Sequence, residues 1–134
     1  DKEIDVYNNG NHSRDFTYVD DIVEGIYLSS ISKKELIDSN FDSKDPSRSF
    51  CKSIIFNLGR GKPENLEDFI DEIENNLGKR AKRNLMPLQP GDVPDTSADI
   101  TGLKDFSGYE PKTSIKIGVK NFIDWYKEYY KVNL

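Results

Sequence analysis

Apolar residues at helical spacing recur through this chain, and the β-favouring runs between them are too few and too short for a repeated strand-helix-strand sheet. Val19, Ile22, Val23, Ile26 and Tyr27 fall on one helical face, with Asp20 and Asp21 in the first turn where they complement the helix dipole. Leu66, Phe69, Ile70, Ile73 and Leu77 mark a second helix. Asn65 is placed to cap it, Asp68 stands three residues on as a variant capping box, and Gly78 suits a left-handed stop followed by Lys79 and Arg80. Asp99 is placed to cap a short helix running through Leu103. The last helix spans about Ser114 to Lys131, with Ile115, Val119, Phe122, Ile123, Tyr126 and Tyr130 facing inward. The strand-like runs are residues 4–7, 14–18, 53–58 and 81–86. The first two are joined by the loop Asn8-Asn9-Gly10-Asn11-His12-Ser13, whose Asn-Gly pair has hairpin-turn chemistry. Residues 32–52, rich in Ser, Asp and Lys and without a sustained period, read as a flexible surface loop. The expected architecture is α+β, with few short strands and about four helices.

A length of 134 residues holds one core and leaves no room for a cofactor domain beside a substrate domain, so residues 1–134 are read as one domain. A formal charge of −5 disfavours a general nucleic-acid or acidic-membrane binder, both of which depend on positive charge. The only basic cluster, residues 79–83, overlaps a helix end, where dipole compensation explains it more simply than RNA binding. Cys51 is the only cysteine and His12 the only histidine, so neither an intramolecular disulfide nor a zinc site is expected, and a reducing cytoplasm fits. No apolar run approaches the ~20 residues of a membrane span. The first residues are no signal peptide, and the chain begins without Met almost inside a strand, as part of something longer would. No Gly-x-Gly-x-x-Gly or Gly-x-x-Gly-x-x-Gly loop occurs; Gly59-Arg60-Gly61 reads as a strand-to-helix turn.

Four residues stand out for binding chemistry. Arg14 begins a strand beside a Gly-Asn loop, where its planar fork suits a diphosphate; an ion pair with Asp15 or another carboxylate is the alternative. Asp92 follows Gly91 in a loop stiffened on both sides by proline, as fit for accepting bonds from a ribose diol as for a plain turn. Tyr7 offers a ring for base stacking or for the core. Gln89 lies three residues before Asp92 in the same loop. His12 reads as a solvated turn residue, with no second catalytic group near it. The Trp125–Tyr130 aromatic run reads as core plus a partly exposed face rather than a ligand cage. No catalytic residue and no metal ligand is identified.

The order of these features is specific. Tyr7, Asn9-Gly10, Arg14-Asp15-Phe16-Thr17-Tyr18-Val19-Asp20-Asp21, Phe56-Asn57-Leu58-Gly59, Leu85 to Val93, Ala98-Asp99 and Gly108-Tyr109 with Pro111 follow one another along nearly the whole chain. This pattern resembles the C-terminal part of the NAD-dependent epimerase/dehydratases, the extended short-chain dehydrogenases, and is most similar to the UDP-glucuronate 4-epimerase group. The resemblance implies an α/β parent whose Rossmann domain is absent here. It places Tyr7 against uracil, Arg14 on the diphosphate and Asp92 on the uridine ribose. Gln89 stands where galactose-type epimerases carry a second phosphate-binding arginine, a departure that fits the glucuronate type. The family's catalytic Tyr-x-x-x-Lys and its NAD loop have no match in this sequence, so the isolated chain is expected to be inert. NAD as cofactor, a UDP-sugar as substrate and a homodimeric state are expected of the parent only. A dehydratase or other UDP-hexose epimerase, or a non-enzymatic UDP-sugar or protein-binding module, would share the same nucleotide anchor.

Overall fold

The computed structural model describes residues 2–33, 46–47 and 53–132. Most of the surface loop expected at residues 32–52 lies outside them. Four helices and four short strands make up the described chain: β1 (Ile4–Val6), β2 (Ser13–Arg14), α1 (Val19–Ile31), β3 (Glu64–Asn65), α2 (Leu66–Leu77), β4 (Arg83–Leu85), α3 (Thr101–Ser107) and α4 (Ile115–Tyr130). The mixed architecture with few strands is the expected one.

The expected β1–β2 hairpin does not form. β1 pairs parallel with β4, in the register Ile4 to Arg83 and Val6 to Leu85, while β2 pairs antiparallel with β3. The cause lies in the Asn-rich connection. Tyr7–Gly10 folds as a short 3-10 helix with Asn8 and Asn9 at φ of 52° and 51°, a left-handed conformation that asparagine tolerates. This turn directs the chain onto the end of β4, where the Asn9 amide donates to Met86 O at 3.0 Å. β2 then runs between β3 and residue 95, which Ser13 bridges in parallel. Residues 53–58, expected as a strand, belong to no named strand among the described residues, and Ile55 is 72% exposed.

Two helix pairs flank these ribbons. α2 packs on α4 and α1 on α3. α2 ends at Gly78, left-handed at φ 66°, as expected, but Asn65 makes no side-chain cap. The Leu66 amide is instead taken by His12 O at 2.9 Å, so the main chain just before β2 caps α2. Arg80 and Arg83 bind carboxylates of α2 rather than its last carbonyls: Glu74 accepts from Arg80 at 2.5 Å and Arg83 at 3.1 Å, and Arg83 also grips Glu67 and Asp71. Ser114 caps α4 by accepting from the Ile117 amide at 3.3 Å, and Asp99 accepts from the Thr101 amide at 3.0 Å. Val6, Ile70, Leu103, Tyr109, Val119 and Ile123 form the buried apolar core.

Several expected inward faces are in fact open. Phe122 and Tyr130 of α4 are more than half exposed, and Trp125, Tyr126, Tyr129 and Tyr130 form an exposed ladder of touching rings. On α1 the buried residues are Asp21 and Gly25, while Val19, Val23, Ile26 and Tyr27 face outward.

Candidate functional site

Arg14 and Asp92, 78 residues apart, meet at 3.1 Å between Nη2 and Oδ1. Two local devices produce this meeting. Gln89-Pro90-Gly91-Asp92 closes a turn through an Asp92 amide to Gln89 O bond of 3.1 Å, with Gly91 at φ 86°, the geometry of a type II turn with proline and glycine at its corners. The segment after the turn is tied to β2: Ser13 N and Arg14 Nη1 both donate to Pro94 O, at 2.9 and 2.7 Å, and Ser13 Oγ donates to Asp95 at 2.6 Å. Arg14 Nη1 also donates to Ser13 O at 2.9 Å. The guanidinium is therefore fixed at one end and keeps further N–H groups for an anion. The Asp92 carboxylate takes the Val93 amide on the same Oδ1 at 2.9 Å, which leaves Oδ2 for other donors. Both side chains are about one-third exposed, at 29% and 33%. The ion-pair alternative for Arg14 is thus realised, with Asp92 rather than Asp15 as partner.

Asp15 serves a different end. Its Oδ1 accepts from the Arg60 amide at 3.1 Å, and its Oδ2 from the Gly61 and Ala98 amides at 2.9 and 3.0 Å. One carboxylate thereby gathers two loops onto the end of β2. Asp21 does the same on α1, where its buried side chain accepts from the Lys112 and Thr113 amides at 3.2 and 3.0 Å. Between them Tyr109, wholly buried, donates to Gly59 O at 2.9 Å, and burial together with the nearby Asp21, Asp15 and Glu24 carboxylates raises its phenol to about 12. Sequence reasoning placed Asp21 on the helix dipole and Asp15 as a partner for Arg14, and missed the loop amides that both hold. Their signal was acidic residues at fixed places in a run that otherwise looks like strand and helix.

Of the other named residues, Tyr7 opens the 3-10 helix beside β4 and is half-buried, and Gln89 is exposed as the first residue of the turn. His12 departs from the solvated residue expected. It is 6% exposed, with Nδ1 3.2 Å from Pro94 O and Nε2 3.5 Å from Asp92 Oδ2. An apolar cleft of about 260 Å³ lies apart from the pair, lined chiefly by Phe16, Phe69, Ile73, Val119 and Phe122.

Among the described residues the Gly59-Arg60-Gly61 turn does not fit a dinucleotide. A Rossmann cradle presents free backbone amides of a glycine-rich turn to a pyrophosphate. Here the amides of Arg60 and Gly61 are occupied by Asp15, and Ile100 lies against Gly61. Among the described residues no cluster of His, Cys, Asp and Glu could hold a metal ion, and no helix is long and apolar enough to cross a membrane.

No protein-family model matches the chain. It is 48% identical over 134 residues to Protein CapI of Staphylococcus aureus, covering 98% of this chain and 40% of that protein. It is 35% identical over 134 residues to a probable UDP-glucuronate 4-epimerase of Rhizobium meliloti, covering 97% of this chain and 39% of that protein. The structure matches the Bacillus cereus UDP-glucuronic acid 4-epimerase solved with UDP-glucuronic acid and NAD, at a TM-score of 0.75 and 27% identity, over 96% of this chain and 36% of that one. The chain thus spans about 40% of the length of these curated relatives. By sequence and by fold the chain is similar to a part of these proteins, among them a probable UDP-glucuronate 4-epimerase and a solved UDP-glucuronic acid 4-epimerase.

Proposed function

We propose that this chain is the nucleotide-binding part of a sugar-nucleotide epimerase, whose whole protein carries out NAD-dependent 4-epimerisation of UDP-glucuronate. The observation that carries this reading is the Arg14–Asp92 pair, in which a cation and an anion brought together from distant loops match the two polar ends of a nucleoside diphosphate. Arg14 turns its remaining N–H groups to the diphosphate, Asp92 accepts from the ribose diol through Oδ2, Tyr7 covers the base, and Gln89 lies beside the phosphates as a neutral donor. Epimerisation at a sugar carbon requires a ligand anchored at the nucleotide while the sugar remains free to turn, so binding energy belongs far from the reacting carbon. This chain supplies that anchor and, with its glycine turn filled by Asp15, no redox centre of its own. In isolation it binds nucleotide and performs no turnover.

Titration of isotope-labelled chain with UDP, followed by NMR, tests the proposal. Signals of Tyr7, Arg14, Asp92 and Val93 shift together at submillimolar to millimolar UDP, and uridine without phosphates moves them far less. A flat titration at millimolar UDP, or shifts confined to the apolar cleft, overturns it.

A further inference from the structure

His12 is the least explained polar side chain of the site. Its main chain is held on both sides, with His12 N donating to Gly10 O at 2.8 Å and His12 O accepting from Leu66 N at 2.9 Å, so its ring projects from a fixed point at the start of α2. The ring is nine-tenths buried, with Nδ1 3.2 Å from Pro94 O. Among the described residues Nε2 has no hydrogen-bond partner, and Asp92 Oδ2 lies 3.5 Å from it. A buried polar atom left unpaired is costly, and one placed within reach of a carboxylate is placed to be used.

We propose that His12 is a positioning residue that holds the Asp92 carboxylate by Oδ2 when Arg14 gives up that carboxylate to an anionic ligand. In the structure Arg14 holds Asp92 by Oδ1 only. A diphosphate drawing the guanidinium away removes that partner, and a carboxylate then held by the Val93 amide alone would turn among rotamers. Closing the 3.5 Å gap, with the ring as the imidazolium so that Nδ1 donates to Pro94 O and Nε2 to Oδ2, gives Asp92 a second partner from a rigid base, so its free lone pairs stay aimed at the nucleoside. The part of this inference that concerns the ligand rests on the nucleotide reading above; the part that concerns Asp92 does not.

Two substitutions separate the roles of the two ring nitrogens. In His12→Asn the side-chain amide reproduces Nδ1 and can keep Pro94 O, but falls short of Asp92; in His12→Gln it reproduces Nε2 and reaches Asp92. Side-chain couplings of Asp92 report its rotamer with or without nucleotide. Arg14→Ala, which removes the first holder, should leave one Asp92 rotamer in an otherwise native chain, an averaged one with His12→Asn added, and one rotamer again with His12→Gln added. With UDP, His12→Asn weakens affinity about tenfold, the weight of one hydrogen bond to a charged group, while His12→Gln stays within about threefold. The reverse order, with Asn native-like and Gln impaired, shows that the ring merely anchors Pro94 and overturns the proposal, as does an Asp92 rotamer indifferent to both. If neither variant folds, Asp92→Ala in the native background decides: the His12 Nε2 signal moves if the contact exists and stays in place if it does not. A native chain that ignores UDP defeats the nucleotide reading, while the couplings still judge His12.

Discussion

Arg14 and Asp92 neutralise each other across 3.1 Å, although each is about one-third open to solvent. A pair so exposed contributes at most about 1 kcal/mol to folding. Arg14→Ala and Asp92→Ala should therefore unfold within a few degrees of the native chain in thermal melts. The same changes should weaken UDP binding by roughly tenfold or more each, because the ligand loses a charge-assisted bond. A variant that loses binding only in proportion to its stability would deny the pair any role in recognition.

Asp21 presents the opposite balance. Its buried carboxylate satisfies the Lys112 and Thr113 amides in the loop that leads into α4. Asp21→Ala orphans both and should cost about 2–3 kcal/mol, a fall in melting temperature of roughly 10 °C. Calorimetry checks it.

Gly25 faces Leu58 and Tyr109 so closely that an added Cβ would lie 2.4 Å from Leu58 Cδ1. Gly25→Ala, which ordinary helix propensity would favour, should instead destabilise by about 1–3 kcal/mol through overpacking. A chemical denaturation midpoint above the native value would overturn this reading of the α1 contact.

The Glu74 carboxylate is held at about 2 against an ordinary 4.5, first by the Arg80 hydrogen bond and then by the Ala81 amide. A depressed folded value means that its stabilisation is complete above pH 4.5 and is lost as pH falls toward 2. Glu74→Gln should flatten the acid limb of the stability profile in that window and leave the alkaline limb unchanged.

Tyr109 contributes to that alkaline limb, beside Lys104, whose ammonium Glu110 holds above its ordinary value. Its folded phenol titrates at about 12 against 10.0, because burial disfavours phenolate, so its contribution is complete below pH 10 and vanishes as pH rises through 12. Tyr109→Phe leaves Gly59 O without its donor at a cost of about 1 kcal/mol at neutral pH, and should reduce the loss between the two values by the part that Tyr109 contributes. Stability followed from pH 8 upward separates the two effects.

Legibility in the sequence followed the range of the interaction. The helices could be read from their periods, and Gly78 and Ser114 end and begin theirs as local chemistry dictates. The pairing of β1 with β4 could not, because a parallel partner nearly eighty residues away leaves no local trace, whereas Asn8-Asn9-Gly10 carries the local trace of a hairpin that never forms. On α1 the apolar period gave the helix correctly but not which positions it buries: these are Asp21 and Gly25, chosen for two loop amides and for clearance from Tyr109. At the site, Arg14 and Asp92 could be named one by one from their neighbours. Their contact, and the burial of His12 beside it, depend on the 94–96 segment docking on β2, a long-range event.

That docking has a consequence for motion. His12, Ser13 and Arg14, three residues in succession, each direct a group at the single carbonyl of Pro94, by ring, by amide and by guanidinium. Sliding either strand by one residue would break all three contacts at once, so the segment has no half-shifted position in which to rest. It behaves as a key with one seat, so β2 and the segment that follows Asp92 keep one register whichever partner the guanidinium holds.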